Sequence, residues 1–378
     1  MKKDKIKVLI VDDSVLIRKY LSDIISEDPE LELLGTAYNG ESAIKKAKKL
    51  KPDVITLDLV MPGIDGIETL KRIMEENPTR VIMISSATRE NEFATLLALE
   101  LGAVEFINKP SGTADNIKKL KKDIINKIKM AMNITLKSIK RVEENKEDKI
   151  KLDEAKAQYK NKIQPGLVKD KSHIIKEKHK LKNISTRTVA IGCSTGGPSA
   201  LKDIFINPSI NTSISYVIVQ HMPENFTKLF AERLNDLSII NIKEAEDGDM
   251  LYEGFAYLAP GHSHMTIVNK GGVPFIKLIK SGRVSGHMPS IDVMFNSLSD
   301  NMAKNTIAII MTGMGRDGAD GIVNIKKHGG ITLAQDENTS IVFGMNREAI
   351  NTGYIDKVLP LDKIVDNINT ILANTIKN

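Results

Sequence analysis

Short apolar segments alternate with longer amphipathic segments over the first 130 residues, and this alternation restricts the fold more than any other feature of the sequence. It predicts five strands, at 6–11, 31–37, 53–58, 80–85 and 104–108. A helix is expected after each strand, at 14–27, 41–50, 66–76, 92–101 and 113–130. Strands that each precede a helix are typical of an open, doubly wound parallel sheet, in which functional groups gather at the carboxyl ends of the strands.

The same alternation starts again at residue 188. Strands are expected at 188–191, 216–220, 306–311 and 331–335, and helices at 197–206, 225–237, 291–303 and 318–328. Residues 255–279 are strand-like and interrupted by glycines, and a closing strand and helix extend through residue 376. The sequence therefore predicts two α/β domains, over residues 5–132 and 187–376, each large enough for its own core.

Residues 133–186, between the two domains, form the expected linker. Lys, Glu and Asn replace the apolar periodicity there, and Pro165-Gly166 is the only turn signal. Residues 141–182 hold thirteen basic residues against eight acidic ones, which accounts for +5 of the chain's net charge of +6. Because the basic excess lies in this polar segment, it indicates a solvated linker and not a nucleic-acid-binding domain.

The composition excludes several classes of protein. No apolar run reaches the roughly 18 residues that a membrane-spanning helix needs. The charged N-terminus leads straight into a strand, without a secretory apolar core. Cys193 is the single cysteine, which excludes an internal disulfide framework and a cysteine-based zinc cluster. The expectation is a cytoplasmic protein that neither enters a membrane nor binds nucleic acid.

Three carboxylates are expected at one edge of the first sheet. Asp12 and Asp13 follow the first predicted strand, and Asp58 ends the third. If these strands are neighbours, the carboxylates converge and repel one another unless a hard divalent cation joins them, and an all-oxygen cluster suits Mg²⁺. On its own, the Asp-Asp pair is more typical of a solvated loop.

Two further polar residues favour a phosphoryl site over a solvated loop. Ser85 ends the fourth predicted strand and Lys109 follows the fifth, so a hydroxyl and a cation are expected at the same edge of the sheet. Together with a metal and a carboxylate, they make a place that can accept and hold a phosphoryl group. Asp53, on the same predicted strand as Asp58, is the nearest alternative acceptor.

The first domain, roughly residues 5–130, resembles the receiver domain of two-component response regulators. The motifs that carry the resemblance are Val11-Asp12-Asp13-Ser14, Leu57-Asp58-Leu59-Val60-Met61-Pro62-Gly63-Ile64-Asp65-Gly66, Ser85-Ser86 and Asn108-Lys109-Pro110. The resemblance implies a flavodoxin-like (βα)5 domain, with Asp58 as the phospho-acceptor and Asp12 and Asp13 as Mg²⁺ ligands beside it. The switch residues that it implies are Ser85 as the hydroxyl, Lys109 as the phosphate-sensing cation and Phe106 as the aromatic, where many relatives carry Tyr.

The second domain begins with a glycine-rich turn, Gly192-Cys193-Ser194-Thr195-Gly196-Gly197, between a strand and a helix. Its spacing fits the Gly-x-Ser-x-Gly turn that exposes a serine oxygen at a helix N-terminus, and the N–H of Thr195 could face an oxyanion. Such a turn could equally hold a phosphate, so the motif alone leaves both interpretations open. Cys193 is a rival nucleophile, but the glycines centre Ser194, and a small buried cysteine is the favoured interpretation.

A serine nucleophile needs a base, and the base needs an acid that orients it. His221 ends the next apolar strand along the chain, so it is expected close to Ser194. Asp317 lies in the loop after strand 306–311 and is the favoured acid. Asp292 is its rival, but it opens a predicted helix, where a carboxylate more often caps the helix or complements its dipole.

Other histidines are weaker candidates for a role at the site. His262 and His264 alternate along a predicted strand, as a pair of metal ligands would. No third ligand stands near them in the sequence, so a metal site is disfavoured there. His287 is also available, but the sequence assigns it no role.

The second domain, roughly residues 187–375, resembles the catalytic domain of the chemotaxis protein-glutamate methylesterases, the CheB family. The motifs that carry the resemblance are Ile191-Gly192-Cys193-Ser194-Thr195-Gly196-Gly197-Pro198, Gln220-His221-Met222-Pro223, Leu258-Ala259-Pro260-Gly261, His287-Met288-Pro289-Ser290-Ile291-Asp292 and Thr312-Gly313-Met314-Gly315-Arg316-Asp317-Gly318. The resemblance implies a Rossmann-like parallel-sheet domain with Ser194, His221 and Asp317 as its catalytic triad. It also implies the backbone N–H of Met314 as a second oxyanion donor beside that of Thr195.

With a receiver in front, the resemblance implies a phosphorylation-activated hydrolase. The expected substrates are γ-methyl-glutamyl side chains on the cytoplasmic helices of chemoreceptors, which release methanol, and receptor glutamines that are deamidated at the same sites. The implied phosphodonor is the chemotaxis histidine kinase, and Mg²⁺ is the implied cofactor of the receiver, while ester hydrolysis is expected to need none. The alternative is a response regulator with a non-catalytic or nucleic-acid-binding output domain, but residues 187–378 do not show the helix-turn-helix pattern that DNA binding favours.

Overall fold

The first parallel sheet lies within residues 6–108 of the computed structural model, which describes residues 4–85, 89–109, 114–132, 134 and 183–375. Its strands are β1 (Ile6–Val11), β2 (Leu31–Ala37), β3 (Val54–Asp58), β4 (Arg80–Ser85) and β5 (Glu105–Asn108), in the order β2-β1-β3-β4-β5. The helices of this domain are α1 (Val15–Glu27), α2 (Gly40–Leu50), α3 (Gly66–Glu76), α4 (Arg89–Glu100) and α5 (Ala114–Ala131). The strand order reverses at β1, so the carboxyl ends of β1 and β3 border the crevice where such sheets place their sites.

The second sheet is also parallel, in the order β14-β13-β12-β6-β7-β9-β8 among the described residues. Its strands are β6 (Thr188–Cys193), β7 (Ser215–Gln220), β8 (Asn241–Glu244), β9 (Phe255–Leu258), β12 (Thr306–Ile310), β13 (Ile331–Gln335) and β14 (Lys357–Leu359). Its helices are α6 (Gly197–Phe205), α7 (Glu224–Leu237), α8 (Ile291–Met302), α9 (Ala319–Lys327), α10 (Met345–Asn351) and α11 (Ile364–Thr375). An antiparallel hairpin of β10 (His264–Lys270) and β11 (Val273–Ile279) stands outside this sheet and packs on α8.

The predicted fold class, two doubly wound parallel-sheet α/β domains, is confirmed. Two elements were not predicted from the sequence, β8 and α10. β8 is a four-residue edge strand in which only Ile242 is fully buried, and α10 has only seven residues, so neither carries a strong apolar pattern. Most of the expected linker (133 and 135–182), together with Ser86, Pro110 and the expected last domain residue 376, lies outside the described residues.

The central strands of the second domain, β6 and β7, are apolar because both of their faces are buried. All six residues of β6 and all six of β7 are buried, because helices cover both faces of the sheet. Apolar residues and glycine therefore fill the interior of each strand, and polar residues appear only at the ends. In the part of the chain that the structure describes, no helix is long and apolar enough to cross a membrane.

The two domains contact each other directly. Both carboxylate oxygens of Glu100, at the end of α4, contact the guanidinium of Arg233 on α7, one of them at 2.6 Å. Phe106 on β5 packs against Phe226 on α7, with ring centroids 4.5 Å apart. The first domain therefore rests on α7, the helix that follows β7 of the second sheet.

Candidate active site and phospho-acceptor site

Asp12, Asp13 and Asp58 meet at the carboxyl ends of β1 and β3. Each offers a carboxylate oxygen, and these atoms lie within 4.8 Å of one another. Asp12 and Asp58 are buried, whereas Asp13 is exposed. The pairing of β1 with β3 brings the three together, as the sequence predicts.

Lys109 is the cation of this cluster. Its Nζ donates a hydrogen bond to Asp58 Oδ2 at 2.7 Å and lies 3.1 Å from Asp12 Oδ2. Burial raises the pKa of Asp58 to about 6, against the opposing effect of Lys109. Asp12 Oδ2 is buried and accepts no well-directed hydrogen bond among the described residues, so this oxygen-only donor set fits Mg²⁺.

The remaining predicted receiver residues lie on the neighbouring strands. Ser85 ends β4 and is buried, and Phe106 is buried on the neighbouring strand β5, where it pairs with Met83. Asp53, the alternative acceptor, stands just before β3, at the opposite end of that strand from Asp58, and accepts a hydrogen bond from the N–H of Lys7 at 2.8 Å. It does not belong to the acidic cluster.

The turn after β6 presents Ser194 at the start of α6. Ser194 is partly exposed, while Cys193 is fully buried and the pKa of its thiol is strongly raised by that burial. Gly196 has φ of +80°, and a Cβ there would lie 2.6 Å from the Cβ of Ile341. Glycine is therefore required for the turn on both conformational and steric grounds.

The side chains of His221 and Asp317 are brought together. His221 Nε2 lies 2.8 Å from Asp317 Oδ2. The backbone N–H of His221 donates to the carbonyl of Cys193 at 3.1 Å, which places His221 beside the serine turn. His221 Nδ1 is buried and has no hydrogen-bond partner within the described ranges, and no hydrogen bond joins it to the hydroxyl of Ser194.

Asp317 is held by the N-terminus of α8. It accepts hydrogen bonds from the hydroxyl of Ser290 (2.8 Å) and from the backbone N–H groups of Ile291 (2.8 Å) and Asp292 (3.2 Å). Burial alone would raise the pKa of Asp317, but His221 and these donors outweigh it and lower the pKa to about 2. The carboxylate is therefore ionised at neutral pH.

Asp292 makes the reciprocal contact, with the N-terminus of α9. Its Oδ1 accepts from the N–H of Gly321 in the first turn of α9 at 2.7 Å, and burial raises its pKa to about 6. Each helix N-terminus thus binds a carboxylate that precedes or opens the other helix. The structure brings Asp317, and not Asp292, to the ring of His221.

Two backbone N–H groups border Ser194 without a partner among the residues that the structure describes, those of Thr195 and Met314. Gly313 lies so close to the serine that a Cβ there would be 2.8 Å from the Cβ of Ser194. The carbonyl of Gly313 accepts from the N–H groups of Gly344 (3.0 Å) and Met345 (2.9 Å), which fixes the peptide that carries the Met314 N–H. These two donors can stabilise an oxyanion formed at a carbonyl attacked by Ser194.

His287 is a residue of the site to which sequence analysis assigned no role. Its ring stacks on that of His221, with centroids 3.8 Å apart and planes 5° apart. Burial, and next the charge of His221, lower the pKa of His287 to about 4. The imidazole that stacks on His221 is therefore neutral at pH 7. The sequence signal that could have identified His287 is its position shortly before Ser290. Ser290 caps α8, and the N-terminus of that helix binds Asp317.

His262 and His264, the pair considered as metal ligands, each contact other protein groups. His264 is buried and its Nδ1 accepts the N–H of Ser290 at 3.1 Å, while its Nε2 lies 3.0 Å from the carbonyl of Gly282. His262 Nδ1 lies 3.5 Å from Glu224 Oε1. Among the described residues, the acidic cluster at Asp58 is the single group that could hold an ion.

Two family models match this chain, CheB methylesterase over residues 189–368 and response regulator receiver domain over residues 8–121. A protein-glutamate methylesterase/protein-glutamine glutaminase of Pyrococcus abyssi (strain GE5 / Orsay) is 44% identical over 365 residues, which cover 96% of this chain and 93% of that relative. The chain belongs to the CheB family of protein-glutamate methylesterases. A family member from Halalkalibacterium halodurans is 41% identical, over 96% of this chain and 97% of its own.

The resemblance inferred from the motifs is thereby confirmed for both domains. The solved catalytic domain of the Thermotoga maritima CheB methylesterase is 40% identical, covers 50% of this chain and all of its own, and has a TM-score of 0.48. The methylesterase match spans the second domain, which favours a hydrolase over the alternative of a nucleic-acid-binding output.

Proposed function

We propose that this chain is a phosphorylation-activated hydrolase that demethylates glutamate methyl esters on chemoreceptors and deamidates receptor glutamines. The observation that carries the proposal is the arrangement around Ser194: a His221–Asp317 pair beside it and two unpartnered backbone N–H groups. The names of the relatives agree with both activities. The corresponding domains are residues 5–132 and 187–376, joined by the linker 133–186.

In the proposed reaction, Ser194 Oγ attacks the ester carbonyl carbon. Because His221 Nε2 donates to the ionised Asp317, Nδ1 is the nitrogen that takes the serine proton. The N–H groups of Thr195 and Met314 stabilise the oxyanion. His221 then returns the proton to the departing methanol, and water cleaves the acyl-enzyme with the same base.

Deamidation follows the same course with a different leaving group. A glutamine amide attacked by Ser194 gives the same kind of tetrahedral intermediate, and ammonia leaves after protonation by His221. The acyl-enzyme is then identical for the ester and the amide. One site therefore accounts for both activities in the names of the relatives.

In the receiver, Asp58 is the proposed phospho-acceptor. Asp12, Asp13 and Asp58 would hold Mg²⁺, which when bound would neutralise the carboxylates and the phosphoryl oxygens. Lys109 already contacts Asp58 and is placed to bind a phosphoryl oxygen. Ser85 is the proposed switch hydroxyl. The phosphodonor would be a chemotaxis histidine kinase, and the receptor substrates would place the chain in the cytoplasm.

The receiver is proposed to hinder access to the site until Asp58 is phosphorylated. The hydroxyl of Thr195, next to the nucleophile, donates to Glu105 Oε2 of the receiver at 3.3 Å. A narrow crevice between the domains is lined by residues of both sides, including Glu105, Lys127, Thr195 and Met314. In the proposed closed arrangement, these contacts would hinder the approach of a receptor helix to Ser194.

The nucleophile is tested by Ser194→Ala and its neighbour Cys193→Ala. Loss of a triad residue typically costs about 10⁴- to 10⁶-fold in rate, so Ser194→Ala should release almost no methanol from methylated receptor. Cys193→Ala should keep substantial activity, because the buried thiol cannot reach substrate. A serine-directed phosphonate, mapped by mass spectrometry, should modify Ser194. An inactive Cys193→Ala beside an active Ser194→Ala would contradict the proposal.

A further inference from the structure

Gln220 is the last residue of β7, and its buried side chain contacts the turn that carries Ser194. Its Nε2 donates one hydrogen bond to the carbonyl of Ser194 (2.9 Å) and another to the carbonyl of His221 (3.0 Å). Its Oε1 accepts from the thiol of Cys193 at 3.2 Å. The opposite amide orientation would set an oxygen against two carbonyl oxygens, so these contacts determine which way the amide faces.

The carbonyl of Ser194 and the N–H of Thr195 belong to one peptide group. Because this group is planar and trans, the two bonds point in opposite directions. The carbonyl also accepts from the N–H of Gly197 at 2.8 Å. With the carbonyl held by Gln220 and Gly197, the Thr195 N–H must point to the other side of the turn.

The peptide group that carries the second oxyanion donor, the N–H of Met314, is fixed in the same manner, but by different groups. The carbonyl of Gly313 accepts from two backbone N–H groups at the start of α10. Among the described residues, a side chain donates to the carbonyl of Ser194, whereas the carbonyl of Gly313 accepts from backbone groups alone. Gln220 is therefore the position at which the aim of an oxyanion donor can be changed by substitution.

We propose that Gln220 is a positioning residue for ester hydrolysis, which aims the Thr195 N–H at the developing oxyanion and ties that donor to the backbone of His221. This inference rests on the proposed role of Ser194 as the nucleophile. Oxyanion donors act because they are already oriented when the charge develops. Loss of the Gln220 amide should therefore lower kcat and leave KM nearly unchanged.

The surroundings of Gln220 agree with this role. A Cβ at Gly197 would lie 1.9 Å from Gln220 Oε1, so a glycine at that position leaves the room that the amide needs. Cys193 is a donor to Oε1 but takes no part in the two bonds from Nε2. Removal of the thiol should consequently cost far less than removal of the amide.

The test compares three variants of the full-length chain. Gln220→Glu keeps the shape of the side chain but replaces the donor with an oxygen, and Gln220→Met removes both polar ends. Tyr216→Phe is the matched control, because Tyr216 lies near the opposite end of the same strand and the change deletes its hydrogen bond to the carbonyl of Asn211. The measurements are kcat and KM for methanol release from methylated receptor, the rate of Ser194 labelling by a phosphonate, and the melting temperature.

Both Gln220 variants should lose about 10- to 10³-fold in kcat and in labelling rate, with KM within about twofold of the wild type. Tyr216→Phe should keep the wild-type kcat even if its melting temperature falls. The inference is overturned if Gln220→Met retains wild-type rates, or if the control loses as much. If Gln220→Glu does not fold, Gln220→Met decides. A wild-type chain that is labelled at Ser194 but releases no methanol contradicts the proposed function, and the labelling rates then still decide the role of Gln220.

Discussion

Glu100→Gln is expected to raise the esterase rate of the unphosphorylated chain. Glu100 belongs to the receiver and Arg233 to the catalytic domain, and both carboxylate oxygens contact the guanidinium. The Glu100 side chain is 2% exposed and that of Arg233 is 11% exposed, so water barely screens the pair. The pair is therefore a strong contact between the domains in the closed arrangement.

The size of the effect follows from where the two charges lie. Removing one partner of a buried ion pair costs about 3–5 kcal/mol when the other charge stays buried. Here the partners lie in different domains, so separation of the domains returns Arg233 to water. The free-energy cost of the substitution is therefore limited to the free energy that holds the two domains together. A coupling of about 1–3 kcal/mol corresponds to about 5- to 150-fold. The basal rate should rise by a factor in that range.

The assay is methanol release from methylated receptor at equal enzyme concentrations. The full-length wild type, Glu100→Gln and the fragment 183–378 are compared, with Glu68→Gln as a control that breaks an exposed ion pair with Arg72 in the same receiver. The fragment and Glu100→Gln should both exceed the unphosphorylated wild type, and Glu68→Gln should match it. A Glu100→Gln chain that keeps the basal rate but loses about 3–5 kcal/mol of unfolding free energy would refute the reasoning, because the domains would then have stayed closed.

Two further predictions concern titration and the phospho-acceptor. Asp58→Asn should block labelling by a small phosphodonor, as Mg²⁺ removal should in the wild type, and persistent labelling would place the acceptor elsewhere. Because burial raises the pKa of Asp58 from 3.8 to about 6, the ionised group destabilises the fold above that range; Asp58→Asn should be the more stable chain in urea at pH 7, an advantage that should vanish below about pH 4. The pKa of His287 is lowered from 6.5 to about 4, so the wild type loses stability as the pH falls through that interval. His287→Phe should lose less between pH 7 and pH 5, and equal losses would contradict the stacked, neutral ring.

The sequence predicts the parallel strands and the residues that end them, because both depend on local patterns. β6 and β7 read as continuous apolar runs since both of their faces are covered. A polar residue that follows such a run must lie at the carboxyl edge of the sheet. This reasoning placed Asp58, His221 and Asp317 at the ends of strands, and it separated Asp317 from Asp292 by the same criterion.

The contacts between loops could not be predicted in the same way. The stacking of His287 on His221 depends on how the segment before α8 folds back over the sheet, and no periodicity encodes that path. Gln220 is part of a quoted motif, but its two hydrogen bonds depend on the register that pairs it with Cys193. The contact of Thr195 with Glu105 joins two domains whose arrangement neither domain's own pattern specifies.

Two carboxylates of this chain show how hydrogen bonding decides what burial does to an acid. Asp58 and Asp317 are each 2% exposed. Asp317 faces His221, a hydroxyl and two helix N–H groups, so its pKa falls to about 2 and it is charged at neutral pH. Asp58 has Lys109 and one long backbone contact at 3.4 Å, so burial prevails and its pKa rises to about 6. Protein donors satisfy only part of the hydrogen-bonding capacity of Asp58, so its oxygens can still contact a metal ion or a phosphoryl group. The oxygens of Asp317 already accept from several donors, so this carboxylate can do little more than hold His221.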